Sequence, residues 1–259
     1  MPLSPLRIGL WSMAAGADSS QNAAAVRRGL LAASAAGVRV LLTPECALTG
    51  YPPATGQVPT DWCAVGDLED DLLTDARRRG LTLVLGTMSP GPQGITNDAL
   101  AGPEPVPVRY RKRRLTPGDQ PVFAAGDTPA WIEVEGWRLG LGICYDLRFD
   151  DVWRDLAVAG CDAFLCIAHM AGPDPDPGVK ALVVPQVLAT RAMGWATPLA
   201  FCSTTAADRW VGSGVWDARG VQTHRADGPG EHLLVADIQP RTAFDPWYTG
   251  LRAAALAAP

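Results

Sequence analysis

The sequence predicts an α/β fold whose β-sheets contain both parallel and antiparallel strands. Short apolar and β-branched runs alternate with segments of helical periodicity along all 259 residues, as in layered α/β proteins. Several neighbouring apolar runs are separated only by short turns, which predicts hairpins and therefore mixed sheets. Because no linker, repeat or low-complexity block interrupts this pattern, we expect a single domain covering residues 1–259.

The first half of the chain is predicted to contain two helices and five strands. Asp18, Ser19 and Ser20 can cap a first helix that ends at Gly37, and a second helix ends in an Arg-Arg-Arg-Gly run that complements the helix dipole. We predict helices at 21–35 and 67–79, strands at 7–11, 38–43, 81–87, 96–100 and 106–111, and a turn at 90–94.

The second half continues the alternation. Gly136 lies between two apolar runs as the turn of a hairpin, and Pro185 is expected in the first turn of a helix. We predict strands at 131–135, 137–143, 163–168, 199–204, 214–216 and 233–238, helices at 151–159 and 185–195, a loop at 174–178, and an extension after Pro246 that packs or binds a partner.

Composition and charge exclude several classes of protein. The net charge is −5, and the one basic cluster, at 109–114, is short enough to be a solvated strand edge, so nucleic-acid binding is not expected. No apolar run reaches the roughly 18 residues of a membrane span, and the N-terminus lacks the pattern of a signal peptide. We therefore expect a cytoplasmic protein that does not bind membranes.

Six cysteines are scattered through the chain, without a C-x-x-C motif or a Cys/His spacing typical of zinc. We expect no metal site and no disulfides, and most of these cysteines should be small buried residues. Sequences typical of serine hydrolases (G-x-S-x-G) and of nucleotide-binding loops are also absent.

Three residues at predicted strand ends are candidates for catalysis. Glu45 ends a buried strand, and a carboxylate in apolar surroundings can serve as a general base. Cys144 ends the glycine-containing strand at 137–143, where a sharp turn into a helix would expose the sulfur and favour the thiolate, and the glycines would let neighbouring backbone approach. Lys112, one of only two lysines, could favour the thiolate and stabilise an oxyanion. Each residue alone also has a structural interpretation.

His169 is a further candidate, because it ends the apolar strand at 163–168 and could line a site near Cys144. A hydrogen-bonded loop histidine explains its position equally well.

Three segments together resemble the catalytic signatures of the nitrilase superfamily of carbon–nitrogen hydrolases: TPECALTGY at 43–51, YRKRRL at 110–115 and GICYDLRF at 142–149. The resemblance extends to the first strand, to FAAGD at 123–127 and to VGSG at 211–214. It implies a four-layer α-β-β-α sandwich with two mixed β-sheets and a homodimer, or higher homo-oligomer, joined through a helical face.

The resemblance also implies a Glu45–Lys112–Cys144 triad that needs no metal or cofactor. Glu45 would take the thiol proton, Cys144 would attack the substrate carbon, and Lys112 with the backbone N–H of Tyr145 would hold the oxyanion. Many family members carry a second glutamate between the lysine and the cysteine, and this chain has none there. Asp119 or Gln120 could substitute for it.

The sequence around Cys144 is most similar to the amidase and omega-amidase branch, which implies a small carboxamide substrate. Arg148 could bind a carboxylate on the substrate through a bidentate fork, or it could form a structural ion pair with Asp146 or Asp150. Nitrile or N-carbamoyl substrates, an inactive binding scaffold, and an acyltransferase using the same triad remain alternatives.

Overall fold

The computed structural model describes residues 3–102, 106–173 and 178–257, and within them it contains twelve strands and six α-helices. The strands are β1 (Leu6–Ser12), β2 (Val40–Leu42), β3 (Thr82–Gly91), β4 (Gly94–Gly102), β5 (Val108–Arg111), β6 (Trp131–Val134), β7 (Trp137–Ile143), β8 (Ala163–Ala168), β9 (Leu199–Ser203), β10 (Ser213–Trp216), β11 (Gln222–Ala226) and β12 (His232–Ile238). The helices are α1 (Ser19–Ala35), α2 (Pro52–Thr55), α3 (Trp62–Arg78), α4 (Asp150–Val158), α5 (Val179–Gly194) and α6 (Pro246–Ala257), with 3-10 helices at Cys144–Arg148 and Arg241–Ala243.

The strands form two six-stranded mixed sheets. The first sheet has the order β12-β1-β2-β3-β4-β5, and the second has the order β11-β10-β9-β8-β7-β6. In the first sheet β2 pairs in parallel with β1 and β3, and in the second β8 pairs in parallel with β7 and β9. The other pairs in both sheets are antiparallel.

The two sheets pack face to face and helices cover their outer faces. Leu10, Val84, Leu141 and Ile167 belong to the apolar core between the sheets. A second core lies between the first sheet and helices α1 and α3, and a third lies between the second sheet and helices α4, α5 and α6. The predicted α-β-β-α sandwich with mixed sheets is therefore confirmed.

The two glycines before Cys144 make room for side chains rather than for neighbouring backbone. A Cβ on Gly142 would lie 2.7 Å from the Trp153 ring, and one on Gly140 would lie 2.9 Å from Leu156. Helix α4 can therefore pack directly on the end of β7, just before Cys144.

Most predicted elements are present; the main differences concern α5, α3 and β11, and the short helix α2 was not predicted. Helix α5 begins at Val179, so Pro185 lies inside the helix and not in its first turn; the predicted start relied on the preference of proline for that position. Helix α3 begins at Trp62, five residues earlier than predicted, where Asp61 caps it. Strand β11 was not predicted, because QTHRA is polar and lies at a sheet edge. The extension after Pro246 forms α6.

The predicted loop at 174–178 lies, except for Gly178, outside the described residues. Among the described helices, none is long and apolar enough to cross a lipid bilayer.

Candidate active site

Glu45, Lys112 and Cys144 meet in the space between the two sheets. Glu45 follows β2 and Lys112 follows β5 in the first sheet, while Cys144 follows β7 in the second. Lys112 Nζ lies 2.7 Å from Glu45 Oε1, and the Cys144 thiol lies close enough to the Glu45 carboxylate for the negative charge of Glu45 to raise the pKa of the thiol. Residues separated by about 100 positions in the chain therefore share one site.

A close backbone contact places Glu45. A Cβ on Gly86 of β3 would lie only 1.9 Å from the carbonyl oxygen of Pro44, so this position requires glycine. The Gly86 N–H donates to the Thr43 hydroxyl, and its carbonyl accepts the Leu48 N–H, which holds the turn that carries Glu45 against β3. Glu45 is consequently buried, with 1% of its surface exposed.

Cys144 lies on a sharp turn from β7 into a 3-10 helix. Its φ of 44° is in the left-handed region, which is unfavourable for residues other than glycine and occurs often at functional sites. The buried carboxylate of Asp146 accepts hydrogen bonds from the backbone N–H groups of Ile143 and Arg114, each at 2.9 Å, and from the Tyr110 hydroxyl at 2.7 Å. Asp146 thus fastens the Cys144 turn to the segment that carries Lys112.

Lys112 is completely buried and lies between two carboxylates. Its ammonium donates to Glu45 Oε1 at 2.7 Å and to Asp119 Oδ2 at 2.8 Å. Burial alone would lower the pKa of Lys112, but the surrounding groups, first Glu45 and then Cys144 and Asp119, raise that pKa well above its usual value. Lys112 is therefore a cation fixed beside the sulfur.

The Cys144 thiol does not have the depressed pKa that the sequence suggested. Burial, followed by the negative charge of Glu45, raises the pKa of Cys144 well above its usual value, and Lys112 only partly offsets this. The expectation of a stabilised thiolate in the resting site is wrong, because the turn buries the sulfur next to a carboxylate. A thiol with a raised pKa needs a base to become a nucleophile, and the carboxylate that raises the pKa of Cys144 is that of Glu45.

Asp119 lies beside Lys112, and it is one of the two residues that the sequence offered in place of a second glutamate. Its carboxylate accepts the Tyr51 hydroxyl at 2.6 Å, the Thr116 backbone N–H at 2.9 Å and the Lys112 ammonium. Burial favours the neutral form, but the charge of Lys112 and these hydrogen bonds outweigh it and hold the pKa of Asp119 below its usual value. Gln120, the other candidate, is exposed.

His169 reaches the site through its backbone. Its N–H donates to Glu45 Oε2 at 2.9 Å, and its ring lies 4.7 Å from the Tyr51 ring, centroid to centroid. Burial lowers the pKa of His169, so the imidazole is neutral near pH 7. Both sequence interpretations of His169 apply, because it is a hydrogen-bonded loop residue that also lines the site.

Tyr145 and Arg148 lie on the 3-10 helix that Cys144 begins. The Tyr145 N–H is in the first turn, where backbone donors have no partner within the helix. Arg148 is exposed, with its guanidinium 5.7 Å from the centroid of the Tyr145 ring. In the described part of the chain, neither structural ion pair proposed for Arg148 is present: Asp150 pairs with Arg191 instead.

The basic segment at 109–114 is not a solvated strand edge. Arg109 pairs with Glu69 and Asp98, Arg113 pairs with Asp155, and Lys112 is buried, which leaves Arg111 as its exposed member. The simplest interpretation from composition was therefore wrong for most of the segment.

Four buried or half-buried residues complete the site and were not singled out from the sequence: Asn97, Tyr51, Tyr110 and Asp146. Asn97 donates to Glu45 Oε1 at 2.7 Å. A signal for it existed, since Thr-Asn-Asp at 96–98 interrupts an otherwise apolar strand. Tyr51, Tyr110 and Asp146 lie within the three motifs, but no role for their side chains could be predicted from the sequence, because that role depends on contacts with distant segments.

The carbon–nitrogen hydrolase family model matches residues 7–244, which is most of the chain. The chain belongs to the carbon–nitrogen hydrolase family, within the nitrilase superfamily. Curated relatives include a hydrolase from Mycobacterium tuberculosis, 27% identical over 65% of this chain and 63% of its own length. An (R)-stereoselective amidase from a Pseudomonas species is 29% identical over 52% of this chain and 50% of its own length. The alignment therefore spans less than two thirds of each of these relatives.

Solved amidase structures from Nesterenkonia sp. AN1 match over nearly the whole chain. One has a TM-score of 0.81 with 28% identity, covering 97% of this chain and 98% of that one. A cysteine-to-alanine variant of the same amidase, in complex with butyramide, has a TM-score of 0.79 with 26% identity, covering 96% and 95%. Another variant carries the product of Michael addition of acrylamide at its active-site cysteine, with a TM-score of 0.79, 27% identity and coverage of 90% and 93%.

Proposed function

We propose that the chain is an amidase that hydrolyses a small carboxamide through a thioester on Cys144 and releases ammonia. The observation that carries this proposal is the convergence of distant residues: the Glu45 carboxylate binds the buried Lys112 ammonium at 2.7 Å and lies near enough to Cys144 to raise the pKa of its thiol. Such an arrangement supplies a base, a nucleophile and a fixed positive charge at one carbon atom. The small amides bound by the related amidase support the substrate class.

In the first half of the reaction, Glu45 takes the proton from the Cys144 thiol as the sulfur attacks the amide carbon. The carbonyl oxygen becomes an oxyanion, which the Lys112 ammonium and the Tyr145 N–H stabilise. Glu45 then gives its proton to the leaving nitrogen, ammonia departs, and the acyl group remains on Cys144 as a thioester.

In the second half, Glu45 takes a proton from a water molecule, and the resulting hydroxide attacks the thioester carbon. The same donors hold the second oxyanion. When it collapses, the carboxylic acid leaves, and the Cys144 sulfur recovers a proton from Glu45. Asp119 holds Lys112 in place during both halves, from the side opposite Glu45.

The reaction is tested by measuring ammonia release from a panel of short aliphatic amides, nitriles and N-carbamoyl amines, with Cys144→Ala as the control. We expect amides of about two to five carbons to be hydrolysed best, and the variant to release no ammonia above background. Equal release by wild type and variant would refute the mechanism, and faster release from nitriles would reassign the substrate class. Adding a primary amine and analysing the products separates hydrolysis from acyl transfer.

Arg148 extends the proposal to amides that carry a carboxylate. Its guanidinium is exposed and stacks near Tyr145, the residue after the nucleophile, so it can meet the far end of a bound substrate. We expect Arg148→Met to raise the KM of a dicarboxylic acid monoamide several-fold and to leave the KM of butyramide unchanged.

We further propose a homodimer joined through the helical face of α5 and α6. Both helices contribute to the third core, yet large apolar side chains on them are exposed, including Leu182 at 65%, Met193 at 51% and Trp247 at 63%. Exposed apolar side chains in this number on adjacent helices are typical of an interface. Sedimentation velocity of wild type against Leu182→Glu tests this proposal, since the variant should be monomeric.

A further inference from the structure

Asn97 is a buried amide that contacts both charged partners of the Cys144 thiol. Its Nδ2 donates to Glu45 Oε1 at 2.7 Å, and its backbone carbonyl accepts the Lys112 N–H at 2.8 Å. Asn97 itself has no exposed surface, and the next residues on the same face of β4 are Ala99 and Ala101 of the apolar core. Because burying an amide is costly without partners, its presence at this point needs an explanation.

The hydrogen bonds of Glu45 indicate what Asn97 does. A carboxylate oxygen has two acceptor sites, and Glu45 Oε1 fills both with Asn97 Nδ2 and Lys112 Nζ. Oε2 accepts the backbone N–H of His169 and keeps one site. The one acceptor site of Glu45 left for the proton of the nearby Cys144 thiol is therefore on Oε2.

Lys112 alone could not fix this orientation. An ammonium is a compact charge on a flexible stem, and it could bind both oxygens of a carboxylate that rotated towards it. Rotation of that kind would withdraw Oε2 from Cys144. The planar amide of Asn97, held on a strand of the sheet, opposes the rotation because it binds only Oε1.

The Asn97 amide is itself oriented by the residue next to Glu45. The Cys46 sulfur lies 3.6 Å from Asn97 Oδ1, within the range of a thiol donor. Cys46 is completely buried, and burial raises the pKa of its thiol well above the usual value, so the proton needed for donation is retained. If the amide were reversed, Oδ1 would face the Glu45 carboxylate and Nδ2 would face the sulfur.

We propose that Asn97 is a positioning residue that aims Glu45 at the Cys144 proton, and that the Cys46 thiol sets the direction of the Asn97 amide. This role rests on the proposed amidase mechanism, in which Glu45 is the base. Neighbouring residues 45 and 46 thereby hold opposite ends of one amide, which couples the base to strand β4.

Two substitutions at Asn97 with similar shape test this role. Asn97→Leu removes the donor, and we expect kcat to fall about 10²-fold with KM changed less than about threefold, because the loss affects proton transfer and not binding. Asn97→Asp places a second carboxyl against Glu45. Only the protonated form of that carboxyl can donate, so the ratio of variant to wild-type kcat should rise as the pH falls.

A merely structural amide predicts a different result. Both variants would then lose stability, yet the folded enzyme would keep the wild-type kcat, and the Asn97→Asp ratio would not depend on pH in this direction. Either observation would overturn the proposal. Asn22→Asp is the matched control, since Asn22 is another buried asparagine, bonded to Gly16 and Leu48 and not to Glu45.

Cys46 supplies a second test that holds even if the Asn97 variants fail to fold. Cys46→Ser keeps a donor towards Asn97 Oδ1, and Cys46→Ala removes it. We expect the serine variant to keep kcat within about twofold and the alanine variant to lose up to about tenfold, the worth of one weak hydrogen bond. Cys161→Ala, which removes a buried sulfur outside the site, should keep the wild-type kcat. Equal kcat values for the two Cys46 variants would refute the orienting role of the thiol.

Crystal structures of wild type and Asn97→Leu separate this inference from the substrate proposal, because they require no turnover. We expect Glu45 Oε2 within hydrogen-bond distance of Cys144 Sγ in wild type, and rotated away from it in the variant. An unchanged carboxylate would overturn the positioning role whatever the substrate. If the wild type hydrolysed no amide while the carboxylate rotated as expected, the substrate class would fail and the role of Asn97 would stand.

Discussion

Two buried clusters of like composition lie on opposite faces of the first sheet. Between the sheets, Lys112 binds the carboxylates of Glu45 and Asp119. Between the sheet and α3, Arg109 binds the carboxylates of Glu69, at 2.5 Å, and Asp98, at 2.9 Å. We call these the Lys112 cluster and the Arg109 cluster. Each consists of one cation and two acids. Asn97 and Asp98 are adjacent on β4; Asn97 belongs to the Lys112 cluster and Asp98 to the Arg109 cluster.

The clusters differ in the cation and in what surrounds it. Arg109 retains 26% exposure of its side chain and uses its planar fork to bind two acids, and hydroxyls of Thr87 and Ser89 supply further donors. Lys112 has no exposed side-chain surface, and the Cys144 thiol lies near Glu45, one of its two acids. The Arg109 cluster joins α3 to the sheet, whereas in the proposed mechanism the Lys112 cluster supplies a base and a cation to a nucleophile.

The comparison teaches that buried ion pairs alone do not mark a catalytic site in this fold. A compact ammonium can move a small distance from carboxylate to oxyanion, while a guanidinium held by two carboxylates is fixed by its geometry. What distinguishes the Lys112 cluster is the acceptor site on Glu45 that faces a thiol. Substitutions matched between the two clusters can test this distinction.

The largest difference is expected from exchanging the two cations. Lys112→Arg keeps the charge but places a larger, planar group in a fully buried space, so we expect kcat to fall about 10³-fold. Arg109→Lys should keep kcat within about threefold and lower the free energy of unfolding by about 1–2 kcal/mol, because a single ammonium cannot reproduce the separate bonds of the two guanidinium nitrogens to Glu69 and Asp98. Steady-state kinetics and urea unfolding of both variants measure this. A comparable loss of kcat in both would remove the functional distinction.

A second pair removes one negative charge from each cluster. Asp119→Asn leaves Lys112 held from the Glu45 side only, and we expect kcat/KM to fall about 10²-fold because the ammonium shifts towards Glu45. Asp98→Asn should mainly destabilise, by about 1–3 kcal/mol, and should change kcat/KM less than threefold. If Asp119→Asn had wild-type kcat/KM, Asp119 would have only a structural part in the Lys112 cluster.

Sequence reasoning predicted the fold class correctly and selected Glu45, Lys112 and Cys144 as candidates, because these depend on local patterns that a strand end and a short motif preserve. It could not identify Asn97 or Asp146, whose roles depend on contacts with residues 52 and 32 positions away in the chain. It also misplaced the start of α5, since proline inside a helix can be tolerated once tertiary contacts form. The packing of α6 could not be predicted either. Its Arg252 is buried and donates to the backbone carbonyls of Ala157 and Cys161, which are distant in the sequence.

A third pair compares the two glutamates through the pKa of Cys144. Glu45 carries one of the charges that raise this pKa, so Glu45→Gln should lower it and expose thiolate at lower pH, although hydrolysis is lost. We expect the pH midpoint of Cys144 alkylation by iodoacetamide to fall by about one unit, a tenfold gain in thiolate. Glu69→Gln should leave the midpoint unchanged. Mass spectrometry of the Cys144 peptide gives the rates, with exposed Cys63 as internal reference.

The outcome of that pair has a definite sign. Because burial is the first cause of the raised pKa and persists in Glu45→Gln, the midpoint for Cys144 should remain above the usual value of a cysteine thiol. A midpoint that rose in Glu45→Gln would mean that the carboxylate does not lie against the thiol, contrary to the geometry of the Lys112 cluster.

The smallest difference is expected from removing one hydroxyl from each cluster. Tyr51 donates to Asp119 at 2.6 Å, and Thr87 donates to Glu69 at 2.7 Å, so Tyr51→Phe and Thr87→Val each delete one donor to a carboxylate at little change of shape. In Tyr51→Phe, Asp119 keeps Lys112 and Thr116 as partners, and we expect kcat/KM to fall only about three- to fivefold. Thr87→Val should cost about 1 kcal/mol of unfolding free energy and leave kcat/KM unchanged. Steady-state kinetics and urea unfolding of both variants measure these effects. If Thr87→Val lowered kcat/KM as much as Tyr51→Phe, the two faces of β4 would be functionally coupled. The Arg109 cluster would then belong to the active site.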